Sequence, residues 1–292
     1  RDLVDPRRLL SSRAMARNYD AILLDLDGTL LGPDDRVSDR TLAALHAARE
    51  AGVLVMVATG RSKISARPVL ESLGMDAPAS IFNGCAVWSP REERMLEERL
   101  LANRTNARLH AWGAERDVQM IVMTADEKLA LRPRNAEEER NLEGFIDIEY
   151  VERAQLQREN TIRLSFLMKC DAAGSKSVSE ELEAVASGPI YVSHFPLSIL
   201  PRHRTNPYSA IDVHAPCRGK AEALRFLEET HGIAPERVVA VGDADNDVPM
   251  LRAAGLGVAM GNAFPEVQAE ADRVIGDHGT DAIAELVGEL LL

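Results

Sequence analysis

Asp25 and Asp27 stand two residues apart, where the apolar run Ala21-Ile22-Leu23-Leu24 breaks off into Asp25-Leu26-Asp27-Gly28-Thr29. In extended backbone, residues i and i+2 point to the same side, so both carboxylates are expected to face one spot while Leu26 turns away into packing. Two carboxylates facing one spot repel, and each raises the other's pKa unless a cation compensates. A hard divalent ion that prefers oxygen ligands, Mg²⁺ above all, is the natural compensator. A strand ending in an ordinary Asp-Gly turn accounts for the same residues. The choice depends on whether the rest of the chain supplies further parts of such a site.

The elements that would position these carboxylates read as a parallel α/β core. After Leu30 and a polar loop, Ser38 is the expected N-cap of a helix carrying Leu42, Leu45 and Ala48 on one face, closed by Gly52. Val53-Leu54-Val55-Met56-Val57-Ala58 is continuously apolar, as in a parallel strand buried on both faces, and ends in Thr59-Gly60-Arg61. A right-handed βαβ unit brings Asp25 and Thr59 to the same sheet edge, where open α/β sheets bind ligands. A helix from about Ser62 to Leu73 follows, with Pro68 near its first turns and Gly74 closing it. Ala79-Ser80-Ile81-Phe82 and Cys85-Ala86-Val87-Trp88, joined through Asn83-Gly84, read as a hairpin. Late in the chain Gly219-Lys220 opens a helix, and the buried run Val238-Val239-Ala240-Val241 ends in Gly242-Asp243-Ala244-Asp245-Asn246-Asp247. Three core strands thus end in polar clusters, which predicts a single site at one sheet edge.

From about residue 85 to 205 charge density rises and apolar residues alternate with polar ones, over Val118 to Met123, Ile146 to Val151 and Thr161 to Leu167. This predicts an antiparallel sheet with one covered face, and helices around Thr105 to Arg116 and Ser175 to Ala186. Near Tyr208 the core pattern resumes with Ile211-Asp212-Val213. The expected fold is a doubly wound parallel, Rossmann-like core (19–85 and 206–292) with an inserted α+β cap (86–205). Residues 1–18 are expected as an N-terminal extension, with Met15 a candidate physiological start.

A length of 292 residues favours two domains or one with a large insertion. A net charge of −12 argues against nucleic acid or an acidic membrane as the main partner, and no apolar run approaches membrane-spanning length. Cys85, Cys170 and Cys217 are far apart and outside any CxxC pattern, so neither a zinc site nor a disulfide framework is expected, and a reducing cytoplasm fits best. The clusters Arg132-Pro133-Arg134 and Arg202-His203-Arg204 read as solvated loops, and His194, His203 and His231 have no ligand spacing.

Asp25-Leu26-Asp27-Gly28-Thr29, Thr59-Gly60-Arg61, Lys220 and Gly242-Asp243 with Asn246-Asp247 resemble the four ordered motifs of the haloacid dehalogenase superfamily of phosphohydrolases. The resemblance is to the Cof-type branch with its large C2-type cap. Ala58-Thr59-Gly60-Arg61, Asn83-Gly84 and Gly261-Asn262-Ala263 sit where that branch has them. It covers residues 20–85 and 208–280; across the cap only size and texture match.

The resemblance implies a Mg²⁺-dependent phosphomonoesterase acting on a small phosphorylated metabolite, a sugar phosphate or nucleotide-like cofactor. Asp25 would be the nucleophile and Asp27 the general acid and base; Thr59 and Lys220 would bind the phosphoryl oxygens. Mg²⁺ would be held by Asp25, Asp243 and the main-chain carbonyl of Asp27, with Asp247 a direct or supporting carboxylate. Leu26, Gly60, Arg61, Asn83, Gly84, Asn246 and Asn262 would lie on the phosphate side, Asn246 touching phosphate or orienting Lys220. The expected assembly is a monomer or homodimer. A phosphotransferase or phosphomutase using the same nucleophile is the first rival, and a catalytically inactive phosphate-binding regulator the second. The intact carboxylates at 25 and 27 count against the latter.

Overall fold

The computed structural model describes residues 18–74, 76–199 and 203–292. Residues 1–17 of the expected extension, Met15 among them, and Arg202 of the second basic cluster lie outside the described residues. The strands in chain order are β1 (Ala21–Leu24), β2 (Leu54–Ala58), β3 (Ala79–Ile81), β4 (Ala86–Ser89), β5 (Arg94–Glu98), β6 (Gln119–Met123) and β7 (Lys128–Leu131). They continue with β8 (Glu149–Val151), β9 (Arg163–Lys169), β10 (Tyr191–Pro196), β11 (Tyr208–His214), β12 (Val238–Gly242), β13 (Leu256–Ala259) and β14 (Arg273–Val274). The described residues fall into two compact units: one is 18–56 with Leu224–Ala244 and Leu251–Leu292, the other the described part of Val57–Ala223 with Asp245–Met250.

In the first unit the strand order is β14-β13-β12-β1-β2, and the pairs β1–β12, β12–β13 and β13–β14 are parallel. Ala21 to Leu24 are buried throughout, which is why the run is apolar without alternation. The ladder extends one residue past β1, where the Asp25 N–H donates to the Val241 carbonyl at 3.0 Å. The helix Asp39–Glu50 starts at the expected cap: the Ser38 hydroxyl accepts from the Thr41 N–H at 3.1 Å. It buries Leu45 and Ala48, and it packs against the helix Ala282–Leu290.

β2 runs on into the second unit, where Val57 and Ala58 pair in parallel with β3, and β3–β4 and β4–β5 are antiparallel. The expected hairpin is present, but its turn is unusual. Phe82, Asn83 and Gly84 all have positive φ, at 52°, 54° and 88°. A left-handed aromatic is strained and needs outside support. The Phe82 N–H donates to the Arg61 carbonyl at 2.9 Å, its ring is fully buried, and the Arg163 guanidinium lies 5.3 Å above it. The same unit holds a six-stranded sheet, ordered β10-β11-β9-β6-β7-β8. The helices Asn103–Glu115 and Ala172–Ala186 contribute Leu109, Trp112 and Leu182 to its hydrophobic core, beside Phe166, Ile211 and Val213.

Three expectations about these elements are corrected. The segment near Tyr208 does not return to the parallel sheet: β11 pairs antiparallel with β9 and β10, and core pairing resumes with β12. Its apolar Ile211 and Val213 alternate with polar, equally buried Asp212 and His214, the signature of a strand with two different faces. The six-stranded sheet is not wholly antiparallel, since β7 and β8 are parallel. The strand expected from Ile146 starts at Glu149, and Ile146 is exposed. Pro68 lies near the first turns of the helix Lys63–Ser72, as expected. Among the described residues no helix is long and apolar enough to cross a membrane.

Candidate active site

In the first unit, parallel pairing in register (Leu24 opposite Val241) brings Asp25 and Asp243 to the C-terminal ends of adjacent strands. Each carboxylate has an oxygen within 4.8 Å of the other's. Extended backbone stops at Asp25. The Leu30 N–H turns back to the Asp25 carbonyl at 3.3 Å and the Leu31 N–H to the Leu26 carbonyl at 2.8 Å. Asp25 is therefore buried and Asp27 exposed, a difference that the i, i+2 rule did not foresee, while Leu26 is packed inside as expected. Gly28 turns the chain with φ 79°, which favours glycine, and a Cβ added there would lie 2.3 Å from Asp243 Oδ2, so any side chain must displace that carboxylate. The Thr29 hydroxyl donates to Asp243 Oδ1 at 3.0 Å. Asn262 donates through Nδ2 to the Gly28 carbonyl at 2.8 Å and accepts from the His278 N–H at 2.9 Å, so it braces this loop from behind.

In the second unit Thr59 follows β2 and is fully buried; its hydroxyl oxygen accepts from the Arg61 N–H at 3.1 Å. The Arg61 guanidinium donates to the Ser65 carbonyl at 3.3 Å. The Asn83 N–H donates to the Thr59 carbonyl at 3.1 Å, which ties the hairpin turn to the end of β2. Asn246 donates through Nδ2 to Asn83 Oδ1 at 3.0 Å, and Asn83 through its own Nδ2 to the Ser193 hydroxyl at 3.2 Å. A Cβ on Gly60 would sit 2.9 Å from Asn83 Oδ1, and one on Gly84 2.1 Å from the Gly219 carbonyl, so these loops approach backbone to backbone. Lys220 is buried, and its Nζ donates to Asp247 Oδ1 at 2.6 Å. Asp247 thus orients Lys220, one of the two tasks expected of Asn246, whose Nδ2 goes to Asn83 instead.

The polar face of the six-stranded sheet contributes residues that sequence reading did not single out. Arg163 donates to the Gly60 carbonyl, donates through Nε to His214 Nε2 at 2.9 Å, and pairs with Asp212 Oδ2 at 3.3 Å. The Ser165 hydroxyl donates to Asp212 Oδ1 at 2.6 Å. Burial, then the Arg163 charge, keeps His214 neutral by holding its pKa well below the ordinary range. Lys128 donates to the Ser65 hydroxyl and the Ile146 carbonyl, each at 2.9 Å, and burial lowers its pKa to about 8. Alternation of Arg163 and Ser165 with Leu164 and Phe166 was the available signal; polar residues on one face suggested solvent, but the face is closed.

The oxygen-only pair of Asp25 and Asp243 suits a hard divalent cation, because thiolate and imidazole donors are absent from it. The sequence profile of the haloacid dehalogenase-like hydrolases matches residues 22–287. Pyridoxal phosphate phosphatase YbhA of Escherichia coli (strain K12) is 29% identical over 289 residues, covering 91% of this chain and 96% of that protein. The 5-amino-6-(5-phospho-D-ribitylamino)uracil phosphatase YcsE of Bacillus subtilis (strain 168) is 29% identical over 274 residues, covering 93% and 95%. A crystal structure of a haloacid dehalogenase-like hydrolase from Bacteroides thetaiotaomicron superposes with a TM-score of 0.76 at 25% identity, over 93% of this chain and 99% of that one. With a profile match over most of its length, on a fold that places the matched motifs at strand ends, the chain belongs to the haloacid dehalogenase-like hydrolases.

Proposed function

We propose that the protein is a phosphatase that hydrolyses a small phosphorylated metabolite through an aspartyl-phosphate on Asp25. The observation that carries this reading is the pair of carboxylates, Asp25 and Asp243, facing each other at the ends of adjacent parallel strands. Asp25 and Asp243, with the main-chain carbonyl of Asp27, would hold Mg²⁺, with Asp247 supporting through Lys220. When bound, the ion would neutralise charge on the phosphoryl oxygens as the nucleophile approaches.

An Asp25 carboxylate oxygen attacks phosphorus in line, the bond from phosphorus to the ester oxygen breaks, and Asp27 gives its proton to the departing alkoxide. Asp27 then takes a proton from water as the water oxygen attacks phosphorus, which frees the Asp25 carboxylate and inorganic phosphate. The exposure of Asp27 supports its handling of both leaving group and water, and the burial of Asp25 supports a nucleophile kept from bulk solvent. The Thr59 oxygen accepts from the Arg61 N–H, so its own hydrogen is available for a phosphoryl oxygen. Lys220, oriented by Asp247, offers its charge to the same group. Arg61, Asn83, Asn246 and Asn262 act by shaping these loops, together with Leu26, Gly60 and Gly84. The names of the relatives, one for pyridoxal phosphate and one for a phosphoribityl-aminouracil, support a small phosphate ester as substrate.

The test is release of inorganic phosphate from p-nitrophenyl phosphate and from a panel of phosphorylated metabolites, pyridoxal phosphate and hexose phosphates included. Hydrolysis that needs Mg²⁺ and stops with EDTA supports the reading. Conversion of a hexose 1-phosphate to the 6-phosphate, without free phosphate, replaces it with the mutase reading.

A further inference from the structure

Cys85 and Cys217 are 132 positions apart, yet their Sγ atoms meet at 3.2 Å, both as free thiols. Cys85 is fully buried directly after the Phe82–Gly84 turn. Cys217 is half-buried between the exposed Pro216 and Arg218, within reach of a small oxidant, and its Sγ lies 3.9 Å from the Asn83 carbonyl. We propose that Cys85 and Cys217 close into a reversible disulfide under peroxide, and that this bond switches off the Lys220 turn.

A disulfide holds its sulfurs at about 2.05 Å, so closure draws the present 3.2 Å pair together by about 1.2 Å. The two thiols are chemically unequal. The S–H of Cys85 and the Gly219 N–H hold the Cys217 thiol below its ordinary pKa against the cost of burial, while the shared hydrogen bond and burial push Cys85 up. Cys217 is therefore the thiolate that attacks. Its sulfur takes one oxygen of the peroxide, the O–O bond breaks, and hydroxide leaves, giving a sulfenic acid at Cys217. The Cys85 sulfur then displaces that hydroxyl; it departs with the Cys85 proton as water, and the S–S bond forms. Two thiols and one peroxide become one disulfide and two waters.

The closure acts beside a tight backbone contact. Cys217 stands two residues before Gly219, whose carbonyl already touches Gly84 so closely that a Cβ there would lie 2.1 Å away. Lys220 follows at once, fully buried, with its Nζ on Asp247 at 2.6 Å. Drawing Cys217 toward Cys85 presses these backbones together and shifts Lys220, and it removes the thiol hydrogen shared with the Asn83 carbonyl.

Formation of the bond stands independently of the enzyme's activity; its effect on turnover rests on the phosphatase reading. The full-length protein is treated with hydrogen peroxide, denatured in acid, alkylated and weighed. All three cysteines are alkylated in the reduced protein, and only Cys170 after peroxide, with a peptide joining residues 85 and 217 that dithiothreitol separates. Turnover of p-nitrophenyl phosphate falls about 10- to 100-fold, as expected for a displacement near 1 Å, and returns with dithiothreitol. Cys217→Ser and Cys85→Ser each keep basal turnover and lose the thiol-reversible response. Three alkylated cysteines after peroxide, or a cross-linked protein with undiminished turnover, overturns the proposal. A reduced protein without phosphatase activity refutes the functional reading instead, and the alkylation count still decides the bond.

Discussion

Replacing Gly28 by alanine tests whether the loop after β1 is built around the Asp243 carboxylate. The new Cβ would fall 2.3 Å from Asp243 Oδ2, and ordinary contact begins near 3.4 Å, so the carboxylate must retreat by about 1.1 Å. That movement breaks the 3.0 Å bond from Thr29. A hydrogen bond to a charged group contributes about 1.5–3 kcal/mol, and holding alanine at positive φ costs a further ~1–2 kcal/mol. The sum predicts a loss of about 2.5–5 kcal/mol in urea unfolding followed by circular dichroism. Thr29→Val, which loses only the hydrogen bond, should cost ~1.5–3 kcal/mol and separates the two terms. The concentration of Mg²⁺ needed for half-maximal activity should rise about 10-fold or more in Gly28→Ala. Unfolding within ~1 kcal/mol of the wild type, with unchanged Mg²⁺ dependence, would show that the loop is not built around Asp243.

Gly84→Ala places a Cβ 2.1 Å from the Gly219 carbonyl at a φ of 88°, two backbones with no flexible side chain to yield; a drop in melting temperature of at least ~5 °C in calorimetry is expected. His110 has a buried Nε2 without a hydrogen-bond partner, and burial, then the Arg153 charge, lowers its pKa to about 4 from the usual 6.5. The unfolded chain binds the His110 proton first, so stability is lost as pH falls from about 6.5 to 4, by up to about 3 kcal/mol; His110→Gln should lose less over that window in urea titrations at several pH values. Arg163→Met removes the donor to the Gly60 carbonyl and leaves Asp212 without its guanidinium partner; turnover should fall about 10-fold or more, by steady-state assay on p-nitrophenyl phosphate.

The parallel core was legible because its strands are buried on both faces and read as unbroken apolar runs; Ala21 to Leu24 and Val238 to Val241 needed no partner to be recognised. The motif residues were legible for a related reason, since glycines such as Gly28 and carboxylates such as Asp243 end those runs abruptly. β11 was misplaced because Ile211 and Val213 resemble core residues locally, while the roles of Asp212 and His214 depend on Arg163, about fifty residues away in sequence. The environments of Asp25 and Asp27 differ because the chain turns directly after Asp25, and a two-residue period assumes that it does not. The meeting of Cys85 with Cys217, like that of Lys220 with Asp247, is a tertiary contact for which no local pattern exists.

The central claim is that Asp25 becomes phosphorylated during turnover. It is tested most directly by mixing enzyme, Mg²⁺ and p-nitrophenyl phosphate, quenching in acid within a turnover, and mapping the peptides by mass spectrometry. Unlike an alkoxide, the weakly basic p-nitrophenolate leaves without needing the Asp27 proton, so with this substrate Asp27→Asn should slow only the second step and accumulate the intermediate. A phosphoryl group on Asp25 is expected, present in the wild type and enriched in Asp27→Asn. Turnover with no phosphorylated Asp25, together with a wild-type rate for Asp25→Asn, would contradict it.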